Sequence, residues 1–355
     1  VYKHGHISGN GVFTRKCQTF FEDEFGFRKT LLTTSCTDAL EMTTLLLDIK
    51  PGDEVIMPSY TFVSTAVAFV RQGARIVFVD SRDDNPGMDE DSIEELISGK
   101  TRVIVPVHYA GIACDMDKIM GIADEHGLFV VEDAAQSIDS YYKRRPLGGI
   151  GNLGCFSFHE TKNIQCGEGG MLSVNDERFV KRSEIVWEKG TNRAEFFRGE
   201  IDKYGWVDVG SSFLPSDIIA SFLFAQLENL NDIQEKRKKI WEKYYRELKP
   251  ISEEGNFGIP VIPEYSTCNG HMFYLVCNSL DERSRLIAFL AEKGIHAVFH
   301  YSSLHKSEYY RKEHDGRILK NADRFSDCLV RLPFYYELQD RDIEEIVGRI
   351  SEFYK

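Results

Sequence analysis

Between Phe13 and Phe158, short apolar runs alternate with amphipathic stretches. Residues 29–33, 54–57, 75–80, 102–107, 128–133 and 155–158 read as strands, and 38–47, 61–70, 89–97 and 115–126 as helices. Runs such as Val103-Ile104-Val105-Pro106-Val107 and Phe129-Val130-Val131 are apolar throughout, so both faces of each strand must be buried. Strands of that kind separated by helices call for parallel pairing through right-handed crossovers, which gives a helix-sheet-helix sandwich of the α/β class. After Gly210 the pattern changes to a long helical stretch, 216–248, rich in Glu, Lys, Arg and Leu. It reads as a helix that leaves the large domain. Segments 272–278, 282–293, 296–301, 331–334 and 340–354 then alternate strand and helix on a smaller scale. The expected organisation is a large domain over 1–215, a connecting helix over 216–250 and a small C-terminal α+β domain over 251–355.

Composition narrows the function. A chain of 355 residues with 42% hydrophobic positions can bury a large core and a smaller one. Its net charge of -13 argues against nucleic acid, whose backbone needs clustered Lys and Arg to displace counterions. An anionic ligand must therefore be held by local groups. The eight cysteines form no CxxC pair, and several sit in apolar runs such as Gly154-Cys155-Phe156-Ser157. That usage fits reduced thiols in a cytoplasm and no zinc site. There is no basic-then-apolar opening segment and no apolar stretch of about 18 residues, so the expectation is a cytoplasmic protein with no membrane partner.

Gly149-Ile150-Gly151-Asn152-Leu153-Gly154 matches GxGxxG, the dinucleotide fingerprint, but polar Lys143-Arg144-Arg145-Pro146 precedes it and an apolar strand follows. The fingerprint works only with a strand running in and a helix running out, so a dinucleotide site is rejected.

The residues that suggest chemistry lie elsewhere. The run Leu128 to Asp133 ends in an acid at the carboxyl edge, where open α/β sheets place ligands. Ala134-Ala135-Gln136 follows and leaves room for a flat ring. Lys162 closes Phe158-His159-Glu160-Thr161-Lys162 after the strand bearing Ser157, just before the glycine-rich 167–170. Small hydroxyl residues in Thr34-Ser35-Cys36-Thr37-Asp38 lead into a helix, whose first N–H groups would face an anion. Phe62 follows another strand. Taken singly, these are a turn cap, a surface lysine, a helix cap and a core aromatic. Together they supply what pyridoxal phosphate (PLP) requires: a lysine for a Schiff base, a carboxylate for the pyridine nitrogen, and phosphate donors at a helix start. His159 and His108 have no third neighbour at metal-ligand spacing.

In their order, these segments resemble the DegT/StrS-type sugar aminotransferases along essentially the whole chain. The resemblance implies the aspartate-aminotransferase-like fold type I of PLP enzymes. It implies that Lys162 carries the cofactor and shuttles the proton, that Asp133 pairs with the pyridinium and that Gln136 contacts the phenolic oxygen. Thr37, Asp38 through its backbone, and Ser157 would hold the phosphate, and Phe62 would stack on the ring. The family completes the phosphate site across a homodimer interface with an asparagine in Gly-x-Asn-Tyr-Arg. Here Gly210-Ser211-Ser212-Phe213-Leu214 puts Ser212 in its place and Leu214 where the arginine stands. Ser8 and Asn10 in the N-terminal loop, His159, Arg193, Arg198, Lys203 and Tyr301 are the expected substrate contacts.

Gly-Ser-Ser-aromatic-Leu, with Glu188-Lys189-Gly190-Thr191-Asn192-Arg193 and Asp202-Lys203-Tyr204, is similar to the subgroup that makes dTDP-4-amino-4,6-dideoxygalactose. That similarity implies L-glutamate and dTDP-4-keto-6-deoxyglucose as substrates. Amination at carbon three, or of another nucleotide-linked keto sugar, stays open, as does a non-catalytic PLP-binding regulator. Dehydratase relatives replace the lysine with histidine, so Lys162 argues against them.

Overall fold

The computed structural model describes Gly5 and residues 7–355. Its first part runs α1 (Val12–Phe25), β1 (Thr30–Thr33), α2 (Cys36–Leu46), β2 (Glu54–Pro58), α3 (Val63–Val70), β3 (Arg75–Val79), β4 (Thr101–Ile104), α4 (Met116–His126) and β5 (Phe129–Asp133). A short hairpin of β6 (Tyr141–Tyr142) and β7 (Arg145–Pro146) follows, then β8 (Leu153–Ser157), β9 (Gly170–Val174), α5 (Glu177–Trp187) and α6 (Arg193–Phe197). Seven strands form one sheet in the order β1-β9-β8-β5-β4-β2-β3. From β8 to β3 every pair is parallel, as the apolar runs require. β9 is antiparallel to both β1 and β8 and departs from that expectation.

Because strand residues alternate between faces, the sheet feeds cores on both sides. Val55, Met57, Val103, Val131 and Leu172 pack with Leu40 and Met42 of α2 and Phe69 of α3. Ile56, Val77, Ile104 and Val130 point the other way, onto Ile119 and Ala123 of α4. Beside them Leu32, Phe156 and Met171 meet Phe21 of α1 and Leu223 of α7 (Asp217–Leu227).

Two helical expectations need correction. The segment 89–97 forms two 3-10 turns, Glu90–Ser92 and Glu94–Leu96, instead of one helix. Asp89 caps the first turn, and Glu90 is drawn inside, accepting from the Asp115 N–H at 2.7 Å and pairing with Arg82 at 3.3 Å. The stretch 216–250 is two helices, α7 and α8 (Leu230–Glu253), broken at Asn229 with φ -115° and ψ 15°. Only α8 leads away from the sandwich, since α7 packs on α1 within it.

The remainder holds β10 (Tyr274–Val276), α9 (Leu280–Glu292), β11 (Val298–Phe299), α10 (Lys320–Cys328), β12 (Leu329–Arg331) and α11 (Asp340–Phe353). An antiparallel sheet, β10-β12-β11, is backed by α8, α9 and α11 through Tyr244, Leu248, Leu286, Leu290, Ile343 and Ile346. The strand expected at 331–334 ends at Arg331 because Pro333 has no N–H to continue the ladder. Tyr274, Phe325 and Leu329 share one core with Tyr60 and Tyr109, so the small sheet sits over the loops that leave β2 and β4. Among the described residues no helix is long and apolar enough to cross a membrane.

Candidate active site

A cavity of about 430 Å³ opens at the carboxyl edge of the parallel strands. Its lining includes Thr37, Phe62, Asp133, Gln136, Ser157, His159, Lys162 and Tyr301, so these predicted residues meet in one place.

Asp133 ends β5, buried at 6% exposure. One carboxylate oxygen accepts from Thr65 Oγ1 at 2.6 Å and the other from the Ala135 N–H at 3.1 Å. Its neighbour Glu132 is held more firmly. The N–H groups of Gly148, Ile150 and Gly151 donate to it at 2.7, 2.6 and 2.6 Å, and His108 Nε2 joins them at 2.9 Å. The Cys114 N–H donates to His108 Nδ1, which leaves the imidazole proton on Nε2. The glycine-rich turn thus cradles an anion, and that anion is the protein's own carboxylate. Gly148, at φ +80°, could not be replaced, because a Cβ there would lie 2.3 Å from the Phe156 ring.

Lys162 lies in the loop 158–169 between β8 and β9. Three bonds close that loop: Phe158 N–H to Gly169 O at 2.8 Å, Glu160 N–H to Gly167 O at 2.9 Å, and Cys166 N–H to Phe158 O at 2.9 Å. Buried Asn163 anchors it, donating to Gln234 Oε1 and to Asn269 O at 2.9 Å each and accepting from His271 Nδ1 at 2.7 Å. Burial lowers the Lys162 pKa, with Asp133 opposing and Arg331 adding to the shift. The neutral amine, the nucleophilic form, is favoured accordingly.

Ser35 caps α2 through its hydroxyl, which accepts from the Asp38 N–H at 3.1 Å. The N–H of Asp38, expected at the phosphate, is thus engaged within the cap, its carboxylate takes the Thr34 hydroxyl, and the residue does not line the cavity. Among the described residues, the N–H groups of Cys36 and Thr37 have no acceptor and are the ones open to an anion. Gly170 lets β9 press against this helix start, since a Cβ would stand 2.4 Å from the Cys36 nitrogen. Gln136 accepts from the Ala110 N–H at 2.6 Å and donates to the Tyr301 hydroxyl at 3.2 Å. Phe62 is 55% exposed, its ring 5.9 Å from that of Tyr301. His159 Nδ1 is 3.0 Å from Thr161 Oγ1.

The other expected contacts lie apart. Ser8, Asn10, Arg193, Arg198 and Ser212 line a second cavity of about 630 Å³ beside the outer edge of β1. There Asn10 donates to Glu188 at 3.0 Å, Arg193 lies 3.7 Å from Glu188, and Arg198 pairs with Glu184 at 2.8 Å. Lys203 is exposed and lines neither cavity. Thr65 and Arg331 line the first cavity and escaped the sequence reading; His300, beside the expected contact Tyr301, lines it too. Burial, with the charges of Arg331 and Lys162, pushes His300 down to about 2, and its Nδ1 lies 2.7 Å from the Tyr109 hydroxyl. Arg331 had one visible signal, a charge inside the apolar run Leu329 to Leu332.

A large mixed α/β sandwich with a smaller domain over its carboxyl edge is the architecture of fold-type-I aminotransferases. The model of the DegT/DnrJ/EryC1/StrS aminotransferase family matches residues 1–351, and the chain belongs to that family. The Bacillus subtilis spore coat polysaccharide biosynthesis protein SpsC is 31% identical over 351 residues, covering 94% of this chain and 89% of SpsC. The aminotransferase from Psychrobacter cryohalolentis superposes with a TM-score of 0.93 at 26% identity, over 100% of this chain and 94% of that one. Spr1654 from Streptococcus pneumoniae in its PLP-form gives 0.88 at 27% identity, over 98% and 92%.

Proposed function

We propose that this sugar aminotransferase moves the amino group of L-glutamate to the 4-keto group of dTDP-4-keto-6-deoxyglucose. The products would be 2-oxoglutarate and dTDP-4-amino-4,6-dideoxygalactose, a precursor of bacterial surface polysaccharide. The observation that carries the reading is that Lys162 and Asp133 line one cavity together with Cys36 and Thr37 at the start of α2. SpsC, a polysaccharide biosynthesis protein, supports the sugar side.

The cofactor is PLP, as in the PLP-form of Spr1654. The residues present fit it: a carboxylate for the ring nitrogen, two unengaged N–H groups with the hydroxyls of Thr37 and Ser157 for the phosphate, and a lysine with lowered pKa. Bound there, it supplies an electrophilic carbon for amines and a ring that withdraws charge from the carbon losing its proton.

The chain's own groups do the rest. Asp133, fixed by Thr65 and Ala135, keeps the ring nitrogen protonated. Gln136 reaches the phenolic oxygen, and Phe62 covers the ring face and excludes water. Lys162 Nζ takes the proton from the α-carbon of glutamate and, in the second half of the cycle, delivers one to carbon four of the sugar. His159 and Tyr301 face the substrate.

The protein acts as a homodimer in this reading, with the face around the second cavity completing the partner's first cavity. Ser212 would then reach the phosphate from the other subunit, and Ser8, Asn10, Arg193, Arg198 and Lys203 the nucleotide. Exposed Phe197, Trp206 and Val209 around that face support a covered surface.

The test incubates the protein with PLP, L-glutamate and, separately, 4-keto and 3-keto sugars linked to dTDP, UDP and GDP. Mass spectrometry and NMR should find a 4-amino sugar from the dTDP-4-keto substrate. Amination of a different sugar alone would overturn the substrate assignment.

A further inference from the structure

Ser59, His305 and Asp323 stand in line where the small domain meets the loop after β2. Ser59 is fully buried, and its hydroxyl oxygen lies 2.7 Å from Nδ1 of His305, itself 5% exposed. The His305 N–H donates to that same oxygen at 3.2 Å, so the hydroxyl proton is left for Nδ1 and the imidazole carries its own proton on Nε2. Nε2 lies 3.4 Å from Asp323 Oδ1 on α10, a buried oxygen with no hydrogen bond among the described residues, while Lys306 takes the other carboxylate oxygen at 2.7 Å. Burial lowers the His305 pKa and favours the neutral ring.

A serine, a histidine and an acid in this order are also the parts of a hydrolase, but there the hydroxyl has to meet a substrate. Ser59 is sealed from solvent and lines neither cavity. Its carbonyl accepts from the Leu304 N–H at 3.0 Å, so its two oxygens together grip residues 304 and 305.

That grip acts on Tyr301, a few residues upstream. Tyr301 has φ +46°, in the left-handed region that a bulky side chain rarely adopts, and a conformation of this kind persists only where the surroundings impose it. On one flank Tyr60 donates to the His300 carbonyl, and the Tyr109 hydroxyl lies 2.7 Å from the His300 ring. On the other, the Ser303 hydroxyl donates to Ala322 O at 3.0 Å, its N–H donates to Ser326 at 3.3 Å, and Ser59 holds the next two residues. The Tyr301 hydroxyl is thereby brought to the cavity, where it accepts one N–H of the Gln136 amide at 3.2 Å while Gln136 Oε1 takes the Ala110 N–H. The second N–H of the amide remains for a ligand.

We infer that Ser59, His305 and Asp323 are positioning residues of the cofactor site, a buried clamp that fixes the 300–305 segment so that Tyr301 aims Gln136 at the phenolic oxygen. The inference rests on the aminotransferase reading above and adds to it a chain of side chains that touches no ligand.

The test follows the visible band of the PLP-loaded protein against pH in the parent, His305→Ala, His305→Asn, Tyr301→Phe and the double variant of His305→Ala with Tyr301→Phe. A phenolic oxygen that loses the Gln136 N–H keeps more negative charge and holds the neighbouring proton more tightly, so the midpoint rises. His305→Ala should raise it by about one pH unit, a tenfold change in proton affinity, as losing one hydrogen bond to a charged oxygen gives. Tyr301→Phe should do the same, and the double variant should match the single ones instead of summing them, because both act through one contact. His305→Asn, whose amide oxygen can take the Ser59 proton, should recover much of the shift. Should His305→Ala fail to fold, Ser59→Ala, which removes a single oxygen, replaces it in the same cycle with the same expected shift. A midpoint that stays put in a folded clamp variant overturns the inference even if that variant melts earlier, and so does a shift that Tyr301→Phe does not reproduce or that adds to it. A parent that shows no visible band with PLP would overturn the cofactor reading itself, and the inference with it.

Discussion

Glutamine at position 132 would keep the shape of the side chain and remove its charge and one acceptor. Four donors converge on Glu132: Ile150 and Gly151 N–H on one oxygen at 2.6 Å each, and Gly148 N–H and His108 on the other at 2.7 and 2.9 Å. The amide oxygen of Glu132→Gln can serve one pair only, and its NH2 then faces the other. If it faces Gly148 and His108, the imidazole can switch tautomer to accept, but its Nδ1–H then opposes the Cys114 N–H now bound there at 3.2 Å. Two buried donors are left unmet in either case. At about 1–3 kcal/mol each, with some weakening of the bonds that had been charge-assisted, the loss comes to about 3–5 kcal/mol. Urea unfolding followed by tryptophan fluorescence should show that loss as a lower midpoint at unchanged slope. Since Glu132 adjoins Asp133, PLP affinity should fall by about tenfold as well. A stability change under about 1 kcal/mol would refute the reasoning, because it would mean that the 148–151 loop does not need the carboxylate.

Three further outcomes follow from the same geometry. Lys162→Ala should stay folded but lose turnover by about 10³-fold or more, measured as steady-state amination, and near-normal multiple turnover would contradict its assigned role. Gly170→Ala places a Cβ 2.3 Å from the Ser35 carbonyl carbon. It should cost about 1–3 kcal/mol and weaken PLP binding in a fluorescence titration, whereas unchanged affinity would detach the helix start from the phosphate. Burial lowers His271 and His300 below the ordinary histidine value, His300 to about 2. The unfolded chain therefore binds more protons below about pH 6.5, so the stability these groups contribute is complete above that value and is lost as pH falls toward their folded values. Two histidines give a slope approaching about 2.7 kcal/mol per pH unit, and a flat unfolding profile between about pH 6.5 and about pH 5 would rule this out.

The parallel strands were readable because a strand buried on both faces is apolar at every position, as in Val103 to Val107 and Phe129 to Val131. β9 was not, because it begins in glycine, carries Ser173 inside, and follows a loop whose closure depends on contacts between Phe158, Cys166 and Gly169. The break at Asn229 is equally hidden, since both flanking segments keep helical periodicity and only packing on α1 separates them. At the site, Asp133 stood out because it ends an apolar strand, Gln136 because it follows that strand after two alanines, and Lys162 because it comes between the strand bearing Ser157 and the glycine-rich 167–170. The local pattern does not show which N–H groups of a helix start are taken by the cap, and here Ser35 takes that of Asp38. Thr65 and Arg331 reach the cavity from a helix flank and from the second sheet, which only the tertiary arrangement brings to Asp133 and Lys162.

The most direct measurement is borohydride reduction of the PLP-loaded protein, followed by proteolysis and mass spectrometry of the peptides. A pyridoxyl group fixed on the amine of residue 162, and displaced by prior incubation with L-glutamate, is the predicted result. A label on another lysine, or none at all in protein that shows the visible cofactor band, would contradict the placement of the reacting amine on the loop after β8.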